Sequence, residues 1–222
     1  MFQELKNILS QEEILRLREL ARTVRFIDGR ATNRGSTTKK NLQVPQDDPR
    51  AEEPGKIVRD ALARSREFSM WTFPKQVARP TLSLYETGMY YGKHVDEAVF
   101  PSQPRAMRSD MSCTVFVSDP ADYDGGELVM HLGATQVEIK LRAGDAVVYP
   151  TSAIHEVREV TRGARLVAIT WIHSVFADPR QREVMSRYFN VVGQLSDSVD
   201  EACRLDMEFV RTSLYRMWAD LS

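Results

Sequence analysis

Near residue 78 the hydrophobic pattern of this chain changes from helical to extended, and that change limits the architectures open to it. Upstream, Ser10 followed by Glu13 is a capping-box signal, and Ile14, Leu15, Leu17 and Leu20 lay an apolar stripe along one face, so a helix is predicted over about residues 11–22. Residues 28–50 mix Gly, Thr, Ser, Asn, Lys, Pro and Asp with little periodicity and read as a long loop. Within it Lys39 and Lys40 form a short, solvated charge run that could meet an acidic substrate. Ala51 to Arg66 returns to helical spacing through Ile57, Val58, Ala61 and Leu62. Beyond residue 78 come short β-rich runs at Pro80–Tyr85, Met111–Val117, Gly126–His131, Val137–Leu141, Ala146–Tyr149 and Arg165–Ser174. Turn clusters such as Ser118-Asp119-Pro120 and Asp124-Gly125-Gly126 separate them. Many short strands at this spacing argue for a sandwich or jelly roll. Asp178-Pro179 then opens a helical tail. The expected fold class is α+β, divided into an N-terminal helical region with a substrate loop (1–77), a β domain (78–176) and a C-terminal helical extension (177–222).

Composition narrows the function classes. A formal net charge of −1 gives no basic field to hold nucleic acid. No apolar run approaches the roughly 18 residues that span a bilayer, and the polar-interleaved start Met1-Phe2-Gln3-Glu4-Leu5 has no signal-peptide core. Cys113 and Cys203 read as two buried, reduced thiols rather than a disulfide framework. A cytoplasmic chain with neither nucleic-acid nor membrane partners is expected.

The residues that carry chemistry are His94, Asp96, His155 and Arg165. Side chains at i and i+2 of an extended segment point the same way, so His94 and Asp96 can reach one ion, with His155 contributing from a neighbouring strand. Two imidazoles and a carboxylate form the facial triad of non-heme Fe(II) oxygenases. The same set also suits catalytic zinc, so a zinc-dependent hydrolase stays open, although no H-E-x-x-H helix exists. Arg165 alternates with Val167, Ile169 and Trp171 on one strand face, which predicts a buried guanidinium that needs an anion. A non-catalytic jelly-roll binding module is the third alternative, and an intact triad beside a buried Arg argues against it.

Read together, the motifs resemble a known family. Tyr85 to Asp96 follows Y-x-x-G-x-x-Y-x-x-H-x-D, which resembles the prolyl 4-hydroxylase branch of the Fe(II)/2-oxoglutarate dioxygenases. Asp124–Leu128, Ala143–Pro150, His155 and Arg165–Trp171 continue the likeness in order. Leu214–Leu221 looks like the tail of the bacterial PKHD-type hydroxylases. The resemblance implies a double-stranded β-helix (a jelly roll) with flanking N- and C-terminal helices. It further implies Fe(II) held by His94, Asp96 and His155, and 2-oxoglutarate as cosubstrate with its far carboxylate on Arg165. L-Ascorbate is implied as the agent that restores the iron.

Tyr85 is expected to hydrogen-bond the cosubstrate and Trp171 to wall its pocket, with plain packing a rival reading for both. Some relatives hold the far carboxylate with a Tyr on the Met111–Val117 strand. Phe116 stands there and has no hydroxyl, so Thr114 is the substitute candidate. Tyr91 is a candidate for the cosubstrate contact or the entrance lining, with packing a close rival, and His131 and His173 read as structural. The implied reaction is hydroxylation of an unactivated C–H bond with release of succinate and CO2. Asp96 favours hydroxylation over halogenation, because related halogenases lack that carboxylate. O2 and a small-molecule or peptidyl substrate are the expected partners, with a homodimer left open. Residues 28–50 and 97–107 are expected to flank the mouth of the site.

Overall fold

The computed structural model describes residues 2–33, 35–45, 47–101, 106–195 and 198–220. The N-terminal part runs β1 (Gln3–Leu5), α1 (Gln11–Thr23), β2 (Ile27–Asp28), β3 (Lys39–Lys40), β4 (Leu42–Gln43), α2 (Glu52–Arg64), α3 (Arg66–Thr72) and β5 (Pro74–Val77). The central strands follow as β6 (Thr81–Glu86), β7 (Tyr90–His94), β8 (Val99–Phe100), β9 (Met107–Arg108), β10 (Met111–Phe116), β11 (Tyr123–Gly125) and β12 (Leu128–Leu132). They continue with β13 (Thr135–Ile139), β14 (Ala146–Pro150), β15 (Ile154–Val157) and β16 (Val160–Ser174), and the tail is α4 (Pro179–Leu195) and α5 (Glu201–Trp218).

Two antiparallel sheets face each other. The larger has the order β1-β14-β10-β16-β6-β4-β2, with β5 and β11 also paired to β16; the smaller has the order β13-β12-β15-β7-β3. Period-2 alternation sends the side chains of each large-sheet strand to two different cores. Met111, Cys113, Val115, Ala146, Val148, Leu166, Ala168 and Ile172 point outward and pack on Ile14, Leu17, Val58 and Leu62 of the N-terminal helices. Phe116, Val147, Tyr149 and Val167 point inward and meet Leu128, Met130 and Val157 of the smaller sheet. Both faces of the large sheet are therefore covered, which is why β10 is buried at every residue.

The capping box is present at α1: Glu13 N donates to Ser10 Oγ, and Ser10 N donates to the Glu13 carboxylate. The segment read as a loop over 28–50 differs from expectation. Lys39 pairs with Tyr91 of the smaller sheet, while Leu42 and Gln43 pair with Leu84 and Ser83 of the larger one. The chain thus crosses from one sheet to the other and closes one side of the sandwich. Lys39 is buried, and only Lys40 is solvated. The pattern hid this because Lys39, Asn41 and Gln43, all polar, are the residues that face in. Strands from 1–77 pair with both sheets, so that region is interleaved with the β domain.

Cys113 is buried, which raises its thiol to about 12, whereas Cys203 is only half-buried on α5. The tail packs Met185, Phe189, Leu214, Tyr215 and Trp218 around Phe73 and Phe176. Arg108 fastens its end, 2.7 Å from the Asp220 carboxylate. Among the described residues no helix is long and apolar enough to cross a membrane.

Candidate active site

β7 and β15 pair with His94 directly opposite His155. Their imidazole centroids lie 4.2 Å apart. Asp96 follows just past the end of β7, with Oδ1 3.7 Å from His94 Nε2 and Oδ2 3.8 Å from His155 Nε2. One ligand atom from each residue lies within 4.8 Å of the others. His94 Nδ1 is 2.8 Å from the Gly92 carbonyl, and His155 Nδ1 is 2.9 Å from the Ala153 carbonyl. A carbonyl only accepts, so Nδ1 carries a proton in each ring and Nε2 is the nitrogen turned toward Asp96. Burial, and then the neighbouring His155, lower the pKa of His94 and favour its neutral form. Two imidazole Nε2 atoms and one carboxylate thus converge on one point, a donor set that a cation at its centre would satisfy. Two nitrogens and one carboxylate oxygen suit a first-row divalent metal.

Neighbours fix the triad. Asp96 Oδ2 accepts from Ser112 Oγ at 2.6 Å and from Trp171 Nε1 at 3.1 Å, the kind of support that orients metal ligands. The Tyr91 ring stacks on His94 at 3.5 Å, and Tyr149 meets His155 edge-on at 5.0 Å. Thr38 crowds the far side of this strand: a Cβ at Gly92 would come within 2.8 Å of Thr38 Cβ.

Deeper in the same cavity, Arg165 on β16 lies opposite Tyr85 on β6. It is 1% exposed and is packed between the Tyr85 and Phe116 rings, with Cζ 5.1 and 5.5 Å from their centroids. No carboxylate among the described residues lies within ion-pairing distance of it, and its Nε has no hydrogen-bond partner. A buried cation without an anion is costly, so this guanidinium fits an anionic ligand.

The remaining candidates divide. Tyr85 is buried, which raises its pKa, and it lies beside Ser83 and Asn41, which are bonded to each other at 2.8 Å. Thr114 lines the cavity beside Tyr149, whose phenol burial pushes well above its usual value. Trp171 lines the cavity and its indole N–H donates to Asp96, a contact its sequence position alone does not disclose. His131 lies 3.0 Å from Glu156, His173 has an unpartnered Nε2, and neither lines the cavity.

Thr32, Asn33, Lys39, Asn41 and Gln43 of the first expected loop and residues 95–101 of the second line the cavity, whereas 102–105 lie outside the described residues. The cavity measures about 1150 Å³. Ser112, Asn41 and Gln43 are site residues that the sequence reading did not single out, and Lys39, read there as solvated, is buried at the cavity. The alternation of Lys39, Asn41 and Gln43 was the available signal.

Comparison with known proteins agrees with this geometry. Residues 80–173 match the 2OG-Fe(II) oxygenase superfamily. A PKHD-type hydroxylase of Sphingopyxis alaskensis is 39% identical over 215 residues, 97% of this chain and 98% of its own length. One from Paracoccus denitrificans is 41% identical over 183 residues, 81% of each chain. A Pseudomonas putida prolyl-4-hydroxylase shares the fold with a TM-score of 0.55 at 17% identity, over 78% of this chain and 92% of that one. A prolyl hydroxylase from Trichoplax adhaerens, solved with a hypoxia inducible factor peptide fragment, gives 0.56 at 15%, over 82% and 86%. The fold is therefore the jelly roll of the 2OG-Fe(II) oxygenases, and the protein is a dioxygenase whose superfamily implies Fe(II) and 2-oxoglutarate. Within that class the chain belongs to the PKHD-type hydroxylases.

Proposed function

We propose that His94, Asp96 and His155 hold Fe(II), that Arg165 seats the far carboxylate of 2-oxoglutarate, and that the enzyme hydroxylates an unactivated C–H bond of a peptidyl or small-molecule substrate. The balance is one 2-oxoglutarate, one O2 and one R–H giving succinate, CO2 and R–OH. One observation carries the reading: two imidazoles and a carboxylate that converge on one point, and a buried guanidinium with no carboxylate partner among the described residues, open into a single cavity. Bound Fe(II) would supply the redox chemistry that couples cosubstrate decarboxylation to oxygen insertion.

The protein's share is placement. Arg165 offers a planar fork that matches a carboxylate in charge and shape. Ser112 and Trp171 hold Asp96 in one orientation, and the Gly92 and Ala153 carbonyls hold each imidazole by its Nδ1. The cavity is larger than 2-oxoglutarate needs and leaves room for a second molecule. The peptide held by the Trichoplax relative supports a peptidyl substrate as one option. Ascorbate is proposed as the reductant that sustains turnover.

The test is succinate formation from 2-oxoglutarate in the presence and absence of Fe(II) and O2, with mass spectrometry of a peptide and metabolite mixture for a hydroxylated product. Succinate that requires both Fe(II) and O2 is expected. Ester or peptide hydrolysis by a zinc-loaded form, with no succinate, would replace this reading with that of a hydrolase.

A further inference from the structure

The cavity holds a second buried cation that the proposed chemistry does not use. Lys39 is 6% exposed, and its Nζ donates to two neutral acceptors, Thr32 Oγ1 at 2.8 Å and Gln43 Oε1 at 3.1 Å. Among the described residues no carboxylate lies within ion-pairing distance of it. Its Nζ sits 5.2 Å from the centroid of the Tyr91 ring, and that ring is the one stacked on His94. A buried ammonium with one donor to spare therefore shares the Tyr91 ring as a neighbour with a triad histidine.

The charges around it leave Lys39 uncompensated. With a divalent metal and a dianionic cosubstrate in place, those two cancel, and Arg165 is offset by Asp96. Of the other charged residues at the cavity, Arg79 pairs with Glu52 at 3.3 Å and Glu97 is exposed. Lys39 is the buried charge left over. Asn41 and Gln43 lie on the same inward face and continue a polar wall. Across the mouth the lining is apolar: Val95 and Val99 are more than half exposed, and Phe100 packs on Trp171 with ring centroids 4.6 Å apart.

We propose that Lys39 is the substrate-recognition residue of this site and that the substrate is a carboxylate carrying an apolar or aromatic body. This rests on the Fe(II)/2-oxoglutarate reading above and names the substrate class for it. One charge with one spare donor matches a monoanion, whereas a phosphate dianion calls for several donors or an arginine fork. Arg165 stands against Tyr85 and Lys39 against Tyr91, so the two cations have different ring neighbours, and the titration below reads whether Lys39 serves the cosubstrate instead.

The experiment loads the full chain anaerobically with Fe(II) and saturating 2-oxoglutarate, then titrates phenylacetate and phenylacetamide by calorimetry. The pair shares an aromatic body and differs in charge. Phenylacetate is expected to bind at least about tenfold tighter than the amide, since losing the partner of a buried charge costs more than 1.4 kcal/mol, the equivalent of one decade. Lys39→Met should abolish the preference and Lys39→Arg should retain part of it. Equal binding of acid and amide by wild type would overturn the proposal without reference to any variant. So would a preference that survives Lys39→Met, which would assign the carboxylate to the metal. A 2-oxoglutarate affinity that falls as far as the phenylacetate affinity in Lys39→Met would give Lys39 to the cosubstrate instead. Failure of the underlying reading registers separately, as no metal-to-ligand charge-transfer band when wild type receives 2-oxoglutarate. The acid-over-amide contrast on metal-free chain then still decides the role of Lys39.

Discussion

Replacing Arg165 by Met should separate cosubstrate binding from stability. The guanidinium is 1% exposed, faces no carboxylate among the described residues, and lies against the Tyr85 and Phe116 rings beside Tyr123. Methionine keeps most of the packed volume and removes the charge. Truncating one partner of a buried charge pair costs about 2–5 kcal/mol, so 2-oxoglutarate should bind roughly 30-fold to several-thousand-fold more weakly. Stability of the ligand-free chain should move the other way or not at all. Removing an uncompensated buried ion is worth up to roughly 1–4 kcal/mol, and the lost cation–π contacts, about 0.5–2 kcal/mol each, offset part of that. Two assays read the two effects: anaerobic titration of the Fe(II) protein through its charge-transfer band, and urea unfolding with and without cosubstrate. Cosubstrate at a hundred times its Kd should stabilise wild type by about 2.7 kcal/mol and leave the variant nearly unchanged. An Arg165→Met chain that binds 2-oxoglutarate as tightly as wild type, or one that loses several kcal/mol of ligand-free stability, would refute the reasoning. In the first case another group holds the carboxylate; in the second the guanidinium is structural.

Three further outcomes follow from the geometry. Trp171→Phe removes the 3.1 Å donor to Asp96 while keeping an aromatic wall, and should weaken metal binding about 10- to 100-fold, measured by competition with a chromophoric chelator. Burial lowers Lys39 from 10.5 to about 8, so the unfolded chain binds more protons between those pH values and the stability penalty of this residue fades as pH rises through that window. That window is worth about 3 kcal/mol, so Lys39→Met should stabilise the ligand-free chain by up to that amount at pH 7 and by little at pH 10.5, as read by urea melts at both. Gly126 has φ +66°, and a Cβ there would come within 3.1 Å of Arg165 Cδ. Gly126→Ala should therefore cost about 1–3 kcal/mol of stability and weaken 2-oxoglutarate binding with it, checked by the same melts and titration.

What the sequence disclosed follows from how local each signal is. The α1 capping box, the His94–Asp96 pair and the inward face of Arg165, Val167, Ile169 and Trp171 are set by residues a few positions apart, and they are legible without a structure. β10 is legible too, since apolar residues on both faces mark a strand covered twice. Features that depend on distant pairing were not. β3 and β4 are two residues each and face polar side chains inward, so no hydrophobic alternation announces them. β1 exists because Gln3–Leu5 finds the edge of β14. β16 begins at Val160 rather than Arg165 because β11 supplies a partner for its first half. Ser112 and Trp171 became parts of the site only when β10 and β16 paired with those two residues opposite each other, aiming both donors at Asp96.

The central claim is that one metal sits among His94, Asp96 and His155, and the most direct test is a crystal grown anaerobically with Mn(II) and 2-oxoglutarate and measured for anomalous scattering. The account predicts a single strong peak about 2.0–2.3 Å from His94 Nε2, an Asp96 carboxylate oxygen and His155 Nε2, the usual range for first-row metals, with cosubstrate density running from that peak to Arg165. A peak elsewhere, or cosubstrate turned away from Arg165, would contradict it.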